Sequence, residues 1–262
     1  MKARVKALFR GLAVRNIRLY EVVRLYICPL RPFLPHEPDF AAFRLIPTQD
    51  GIFLDVGAND GLSALSFRVF NTTTPILSIE PNPHHVRSLE RVKRRISGFS
   101  YRIIGASDSE KSLTLFTPIY KAIPLTNYAS LDADTARKNL ETYLHIHNIG
   151  KRVSFLETTV SVLPLDKLEL DPDIIKIDVE GFEESVIGGL MRTLVRRKPS
   201  VMVERNPRSF RAVKTSLESV GYRALLYDER SDRFAAYQGE EVLNVFFLHP
   251  DRGGWPHDIF PG

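Results

Sequence analysis

The chain has 262 residues, 44% hydrophobic and 26% charged, with a formal net charge of +5 and a single cysteine, Cys28. That length supports a full hydrophobic core, and one cysteine excludes an intrachain disulfide. The basicity is local: residues 1–31 carry eight Lys or Arg against Glu21, which leaves the rest of the chain at a net −2 and excludes a basic nucleic-acid-binding body.

In chain order, the first segment reads as a basic helical leader. Val5, Leu8, Phe9 and Leu12 follow the i, i+3, i+4, i+7 spacing of an amphipathic helix. Arginines interrupt it well short of the ~18–20 apolar residues of a membrane span. It also lacks a signal-peptide core, so the expected location is cytoplasmic. Two readings stand: a helix with a solvated cationic face, or peripheral contact with an anionic membrane surface through residues 1–31. Four prolines in "CPLRPFLPHEPDF" (28–40) then predict an extended linker. The expected division is leader and linker over 1–40, a main domain over 41–250, and an irregular tail over 251–262.

From residue 51 the pattern is strand, loop, helix, repeated. "GIFLDV" precedes a helix from about Leu62; "PILSIE" precedes a helix over about 84–96; "YRIIGA" follows. "DIIKIDV" reads as a fully buried strand before a helix over about 182–196, and "SVMVE" precedes a helix over about 208–220. Short apolar strands alternating with helices predict a doubly wound, mostly parallel α/β sheet. "YRALLYD" and "VLNVFFLHP", with no helical stretch between them, predict an antiparallel C-terminal edge. Residues 111–165 interrupt the alternation, with "LTLFTP", a helix capped by Asp132 and reaching about His147, and the alternating "RVSFLETTVSVL". An insertion there is where such folds build substrate selectivity.

The turn "FLDVGANDG" carries the chemistry. A glycine turn from a first strand into a first helix presents backbone N–H groups to a ligand. The run from Gly57 to Leu62 lacks the middle and third glycines of a dinucleotide fingerprint, and no Gly-Lys-Ser/Thr follows. Asp55 and Asp60 lie beside the place a pyrophosphate would take, so a phosphate-free ligand is favoured over a nicotinamide dinucleotide. Glu80 closes the second strand, where nucleoside sites place an acid for ribose hydroxyls. Asp108 in "GASDSE" is placed for an adenine amine, and Asp178 ends the fourth strand in "KIDVEGFE". Acids after successive strands, with Asp55 on the first, describe a pocket for an adenosine bearing a positive charge.

"FLDVGANDG", "SIEPNP", "GASDSE" and "DIIKIDVEGFEESVIGG" together resemble the FkbM family of methyltransferases, over about residues 51–206. The resemblance implies a class I methyltransferase fold (Rossmann-like) and methyl transfer from S-adenosyl-L-methionine, typically to a hydroxyl oxygen. By position it implies Asp55, Gly57, Asn59 and Gly61 in the methionine-side loop, Glu80 at the ribose, Asp108 at adenine, and Asp178 at the methyl-bearing end. Asp178 and Glu180 are the candidate catalytic bases, with His145 or His147 behind them. No metal is expected, since His145 and His147 do not share a helical face and no complete ligand set is present. The expected acceptor is a sugar, glycan or other small molecule. The competing class is a non-catalytic nucleoside-binding module acting through the basic leader.

Several of these residues also carry structural readings. Glu180 and Glu183 fit a helix first turn, where the dipole favours acids. His84 and His85 either flank the adenine, or one packs and one is solvated. Asn71-Thr72-Thr73 matches a glycosylation sequon but reads as a loop.

Overall fold

The structure is a computed structural model that describes residues 35–120, 122–144, 153–255 and 259. The basic leader, Cys28, His145 and His147 lie outside the described residues. The chain divides into two compact units, one of Leu34–Lys111 with Ser161–Gly262, the other of Met1–Phe33 with Ser112–Val160.

In chain order the elements begin with β1 (Ile52–Val56), α1 (Leu62–Phe70), β2 (Ile76–Ile79), α2 (Val86–Lys93), β3 (Phe99–Arg102) and β4 (Gly105–Ala106). The smaller unit contributes most of β5 (Lys111–Tyr120), β6 (Ile123–Pro124), α3 (Ala133–Leu144) and β7 (Val153–Leu163). The larger unit resumes with β8 (Pro172–Ile177), α4 (Glu183–Gly188), α5 (Met191–Arg197), β9 (Ser200–Glu204) and α6 (Phe210–Ser219). It ends in β10 (Arg223–Asp228), β11 (Arg233–Ala236) and β12 (Asn244–Leu248).

The sheet of the larger unit has the order β11-β10-β12-β9-β8-β1-β2-β3. Strands β3, β2, β1, β8 and β9 pair in parallel, while β12, β10 and β11 join antiparallel. The chain winds outward from β1 in one direction and from β8 in the other. Their junction is therefore the switch point, where an open α/β sheet forms its crevice beyond the carboxyl ends of its strands.

The strand period of two divides the side chains between two faces. Leu54, Val56, Ile175, Ile177, Val201 and Val203 pack with Val186, Ile187, Leu194, Val213 and Leu217, so α4, α5 and α6 cover that face. Phe53, Ile76, Ile174, Met202 and Phe246 pack on the other face with Phe40, Phe43, Ala64, Phe67, Leu89 and Val92. On this second face the apolar residues occupy the first halves of the parallel strands. The next positions along the same face are polar: Asp55, Ser78 and Glu80, Lys176 and Asp178, and Glu204.

Four local expectations are corrected. The proline-rich stretch is not extended throughout, because Pro38–Arg44 forms a 3-10 helix that buries Phe40, Ala42 and Phe43. Pro38 sits in its first turn, where a missing N–H costs nothing. The segment 84–96 begins as a 3-10 turn, Pro83–His85, before α2. The single helix expected over 182–196 is two, α4 and α5, broken at Gly189 and Leu190. A Cβ on Gly189 would lie 2.0 Å from the Ser107 carbonyl oxygen, so close backbone packing fixes the break. Strand β11 went unread because only Phe234 among its four residues is buried, which leaves no alternation to detect.

The smaller unit has its own core of Tyr120, Leu125, Tyr128 and Leu140. Phe116 meets Phe155 edge-on at 6.1 Å, and the Arg137 guanidinium lies 5.4 Å from the Phe155 ring. Asp132 accepts the Thr135 N–H at 2.6 Å, the cap expected for α3.

Candidate active site

The loop after β1 is tight for internal reasons. Gly57 has φ +83° and Gly61 φ +87°, conformations that side chains resist. A Cβ on Gly57 would lie 1.8 Å from the Asp178 carbonyl oxygen, and one on Gly61 2.7 Å from Val92 Cγ2. The space that the glycines open is thus filled by the chain itself: β1's loop packs on β8's loop, and α1's start packs on α2. Asn59 also takes a left-handed conformation, φ 52°.

Glu80, directly after β2, ties this loop to the next. Its Oε2 accepts the Asn59 N–H and its Oε1 the Asn82 N–H, both at 2.8 Å. Burial pushes its pKa up to about 7 against these two donors, with the charges of Asp55 and Asp178 adding to the rise.

Between β1 and β8 a charged row crosses the sheet. Asp55 pairs in register with Ser78 on one side and Lys176 on the other. Ser78 Oγ donates to Asp55 Oδ2 at 2.9 Å; Lys176 Nζ lies 3.9 Å from Asp55 Oδ1 and donates to Asp178 Oδ2 at 3.0 Å. Asp55 is fully buried and Lys176 nearly so, while the Asp178 side chain is 30% exposed. Burial opposes charge on Lys176, but Asp178 and Asp55 prevail and hold its pKa above the usual lysine value. Burial opposes charge on Asp178 too, yet Lys176 and a hydrogen bond with Glu204 hold its pKa below the usual range. Burial raises Asp55, offset in part by Lys176.

Glu204, at the end of β9, is the proton-bearing partner of Asp178. Burial, then the charge of Asp178, push its pKa up to about 10. Two carboxyl groups that share a hydrogen bond need one proton between them, and the one farther from Lys176 keeps it.

The segment before the 3-10 helix joins the same cluster. His36 Nδ1 lies 2.7 Å from Ser66 Oγ on α1, and His36 Nε2 lies 3.3 Å from Glu37 Oε1. Asn244 Nδ2 at the start of β12 donates to Glu37 Oε2 at 2.9 Å and to Asp39 Oδ2 at 3.0 Å.

Of the residues expected from sequence, the structure brings Asp55, Glu80 and Asp178 into one electrostatic cluster, with Asn59 bonded to Glu80. Asp108 stands apart. Its side chain is 53% exposed, bonded to Ser107 and Ser109 and 3.6 Å from Lys111, which hold its pKa low. Its Cβ lies 3.3 Å from where a Cβ on Gly188 would stand. Glu180 is exposed on a left-handed turn, φ 54°, before α4 rather than within it. Glu183 is buried and accepts from Gly181 N–H and Ser209 Oγ, so it fastens two loops. His85 is buried and His84 exposed; Asn71 Oδ1 accepts from Thr73 and Thr74 N–H in a turn.

Sequence reading passed over Lys176, Glu204, His36 and Glu37. Lys176 carried a signal: a charge inside an apolar strand, two residues before Asp178 and therefore on the same face. The others are joined to the cluster only by the tertiary fold.

The strand order and the acid after β2 define a class I methyltransferase fold. The profile of the methyltransferase FkbM domain matches residues 55–224, and the chain belongs to that family. A search of curated proteins returns no match. Among solved structures, the FkbM methyltransferase of Methylobacillus flagellatus KT is 17% identical (TM-score 0.47), covering 78% of this chain and 45% of that one. This chain thus spans less than half of that protein. The precorrin-6y C5,15-methyltransferase of Geobacter metallireducens GS-15 is 13% identical (TM-score 0.42; 80% and 84% covered). A SAM-dependent O-methyltransferase of Thermotoga maritima is 11% identical (TM-score 0.40; 82% and 65% covered). No helix among the described residues is long and apolar enough to cross a membrane.

Two outcomes follow from this packing. Gly57→Ala loses at least about 2 kcal/mol of stability in urea denaturation, from the left-handed backbone and the collision with Asp178; unchanged stability would show that the loops do not meet there. Glu204 binds its proton more tightly folded than unfolded, so its contribution is complete below about pH 4.5 and is lost as pH rises towards 10. Glu204→Gln keeps a donor for Asp178 without the proton, so it matches the parent near pH 5 and is the more stable protein at pH 9. The two curves diverge by at most about 1.4 kcal/mol per pH unit. Parallel curves would place that proton elsewhere.

Proposed function

We propose that the chain transfers a methyl group from S-adenosylmethionine to a hydroxyl oxygen of a sugar, glycan or other small acceptor. The observation that carries this reading is a pair of buried polar atoms without hydrogen-bond partners beside Glu80, Asn59 Oδ1 and Asn82 Nδ2, with Asp55 Oδ1 met only by the charge of Lys176 at 3.9 Å. A buried polar atom left without a hydrogen bond costs about 1–3 kcal/mol, so Asn59 Oδ1 and Asn82 Nδ2, on the two loops that Glu80 ties together, fit a ligand with its own donors and acceptors. S-adenosylmethionine has such groups: ribose hydroxyls, an ammonium and a sulfonium, and no phosphate.

On this reading Glu80 accepts from ribose hydroxyls through the lone pairs its backbone donors leave free. Asp55 and Asn59 serve the cationic methionine end. Asp108, exposed beside Gly188, serves the adenine amine. When bound, the cofactor supplies an electrophilic methyl carbon. The protein aligns the acceptor with it, and alignment of two reactants is worth as much as ~7–11 kcal/mol. Asp178, kept ionised by Lys176 and partly exposed, accepts the hydroxyl proton. A carboxylate of lowered pKa is a weak base, which puts its contribution at the low end of the 10²–10⁴-fold range. Glu180, at the exposed turn, is the second candidate for this step.

Calorimetry with S-adenosylmethionine and S-adenosylhomocysteine, followed by transfer of labelled methyl to a panel of sugars and small alcohols, tests the assignment. Glu80→Ala weakens cofactor binding by about 1.5–3 kcal/mol. Because the ionised carboxylate is the better acceptor, affinity falls as pH drops below about 7. Absence of binding would refute the cofactor reading. Binding without transfer to any hydroxyl would favour a non-catalytic module.

A further inference from the structure

The ribose acid does not stand alone, and its partner Asn82 is the more specific residue. Asn82 is 2% exposed. Its backbone N–H is held by Glu80 Oε1, and its side-chain Oδ1 accepts the His84 N–H at 3.0 Å, capping the 3-10 turn Pro83–His85. An atom that accepts from a backbone N–H is the oxygen, so the orientation of the amide is fixed. The other amide atom, Nδ2, is therefore a buried two-proton donor, and it has no partner.

Glu80 supplies only acceptors when ionised, whereas a hydroxyl both donates and accepts. A vicinal diol that gives its protons to Glu80 leaves oxygen lone pairs needing a donor. Glu80 and Asn82, two residues apart and bonded to each other through the backbone, offer the complementary pair.

We infer that Asn82 Nδ2 is the hydrogen-bond donor of the nucleoside-diol subsite, contacting one ribose hydroxyl oxygen while Glu80 accepts from the diol. The inference rests on the cofactor reading above. It makes Asn82 a binding residue that selects a ribonucleoside over one lacking the contacted hydroxyl.

The test is calorimetry with S-adenosylhomocysteine and with its 2′-deoxy and 3′-deoxy analogues, on the full chain and two variants. Asn82→Asp and Asn82→Ser each keep an oxygen to accept the His84 N–H, and remove the amide donor. Both are expected to bind intact S-adenosylhomocysteine about three- to tenfold more weakly; Asn82→Ser retains the unliganded melting temperature, whereas Asn82→Asp lowers it by placing a buried carboxylate beside Glu80. The loss disappears for the one analogue that lacks the contacted hydroxyl. A second measurement uses the unsubstituted protein: the ¹⁵N-labelled Asn82 side-chain amide shifts on adding S-adenosylhomocysteine and does not shift with that analogue. Undiminished affinity in both variants, an equal loss for all three ligands, or an unmoved amide signal would overturn the inference and leave the cofactor reading intact. If the unsubstituted protein binds none of the three, the cofactor reading fails and the inference falls with it.

Discussion

The whole arrangement depends on one buried ammonium group. Lys176 sits inside an otherwise apolar strand, 3.0 Å from Asp178 and 3.9 Å from Asp55. A lysine without water stays charged only beside carboxylates, and carboxylates at the end of a buried sheet stay charged only beside a cation. Each side of the row makes the other tolerable. Lys176 also decides which member of the Asp178–Glu204 pair keeps the proton, and so sets the charge that the crevice presents. A site made of acids alone would be partly protonated at neutral pH; this one keeps Asp178 ionised.

The position of that row follows from the two-residue period of the strands. The face that buries Phe53, Ile76, Ile174 and Met202 under Phe40, Phe43 and Phe67 becomes polar at the next same-face residues. Apolar packing therefore fixes the first halves of the strands, and the charged row that follows is itself buried at Asp55 and Lys176. Phe53, two residues before Asp55, stacks on Phe67 with ring centroids 4.0 Å apart. The glycines have a related task. Gly57 lets the Asp178 backbone close on the first loop, and Gly189 lets the Ser107 backbone close on the α4–α5 break, so the loops bearing the acids are held by one another.

Much of this was legible in the sequence. The alternation of short apolar strands with helices gave the sheet and its antiparallel edge, because parallel strands buried on both faces need continuous apolar runs. Asp55, Glu80 and Asp178 were legible as acids at the ends of such runs, but their pairing with Lys176 and with the loop N–H groups was not. Nor was the reason for Gly57. Its neighbour is a carbonyl more than a hundred residues away, and only the packed chain reveals that the close approach is internal. Lys176 was visible but unread, and Glu204 was invisible: the acid that closes "SVMVE" looks solvated until β8 lies beside it. Asp108 was legible as a position after a strand, but not its exposure or its engagement with Ser107, Ser109 and Lys111.

Urea denaturation of Lys176→Met at pH 7 and at pH 4 tests most directly whether this buried cation underwrites the crevice. Removing one partner of a buried pair costs about 3–5 kcal/mol where the orphaned carboxylates stay charged. The deficit relative to the parent protein is expected to be largest at pH 7 and to shrink at pH 4, where the carboxylates protonate. A deficit of the same size at both pH values would mean that Lys176 merely fills space, and would contradict the account.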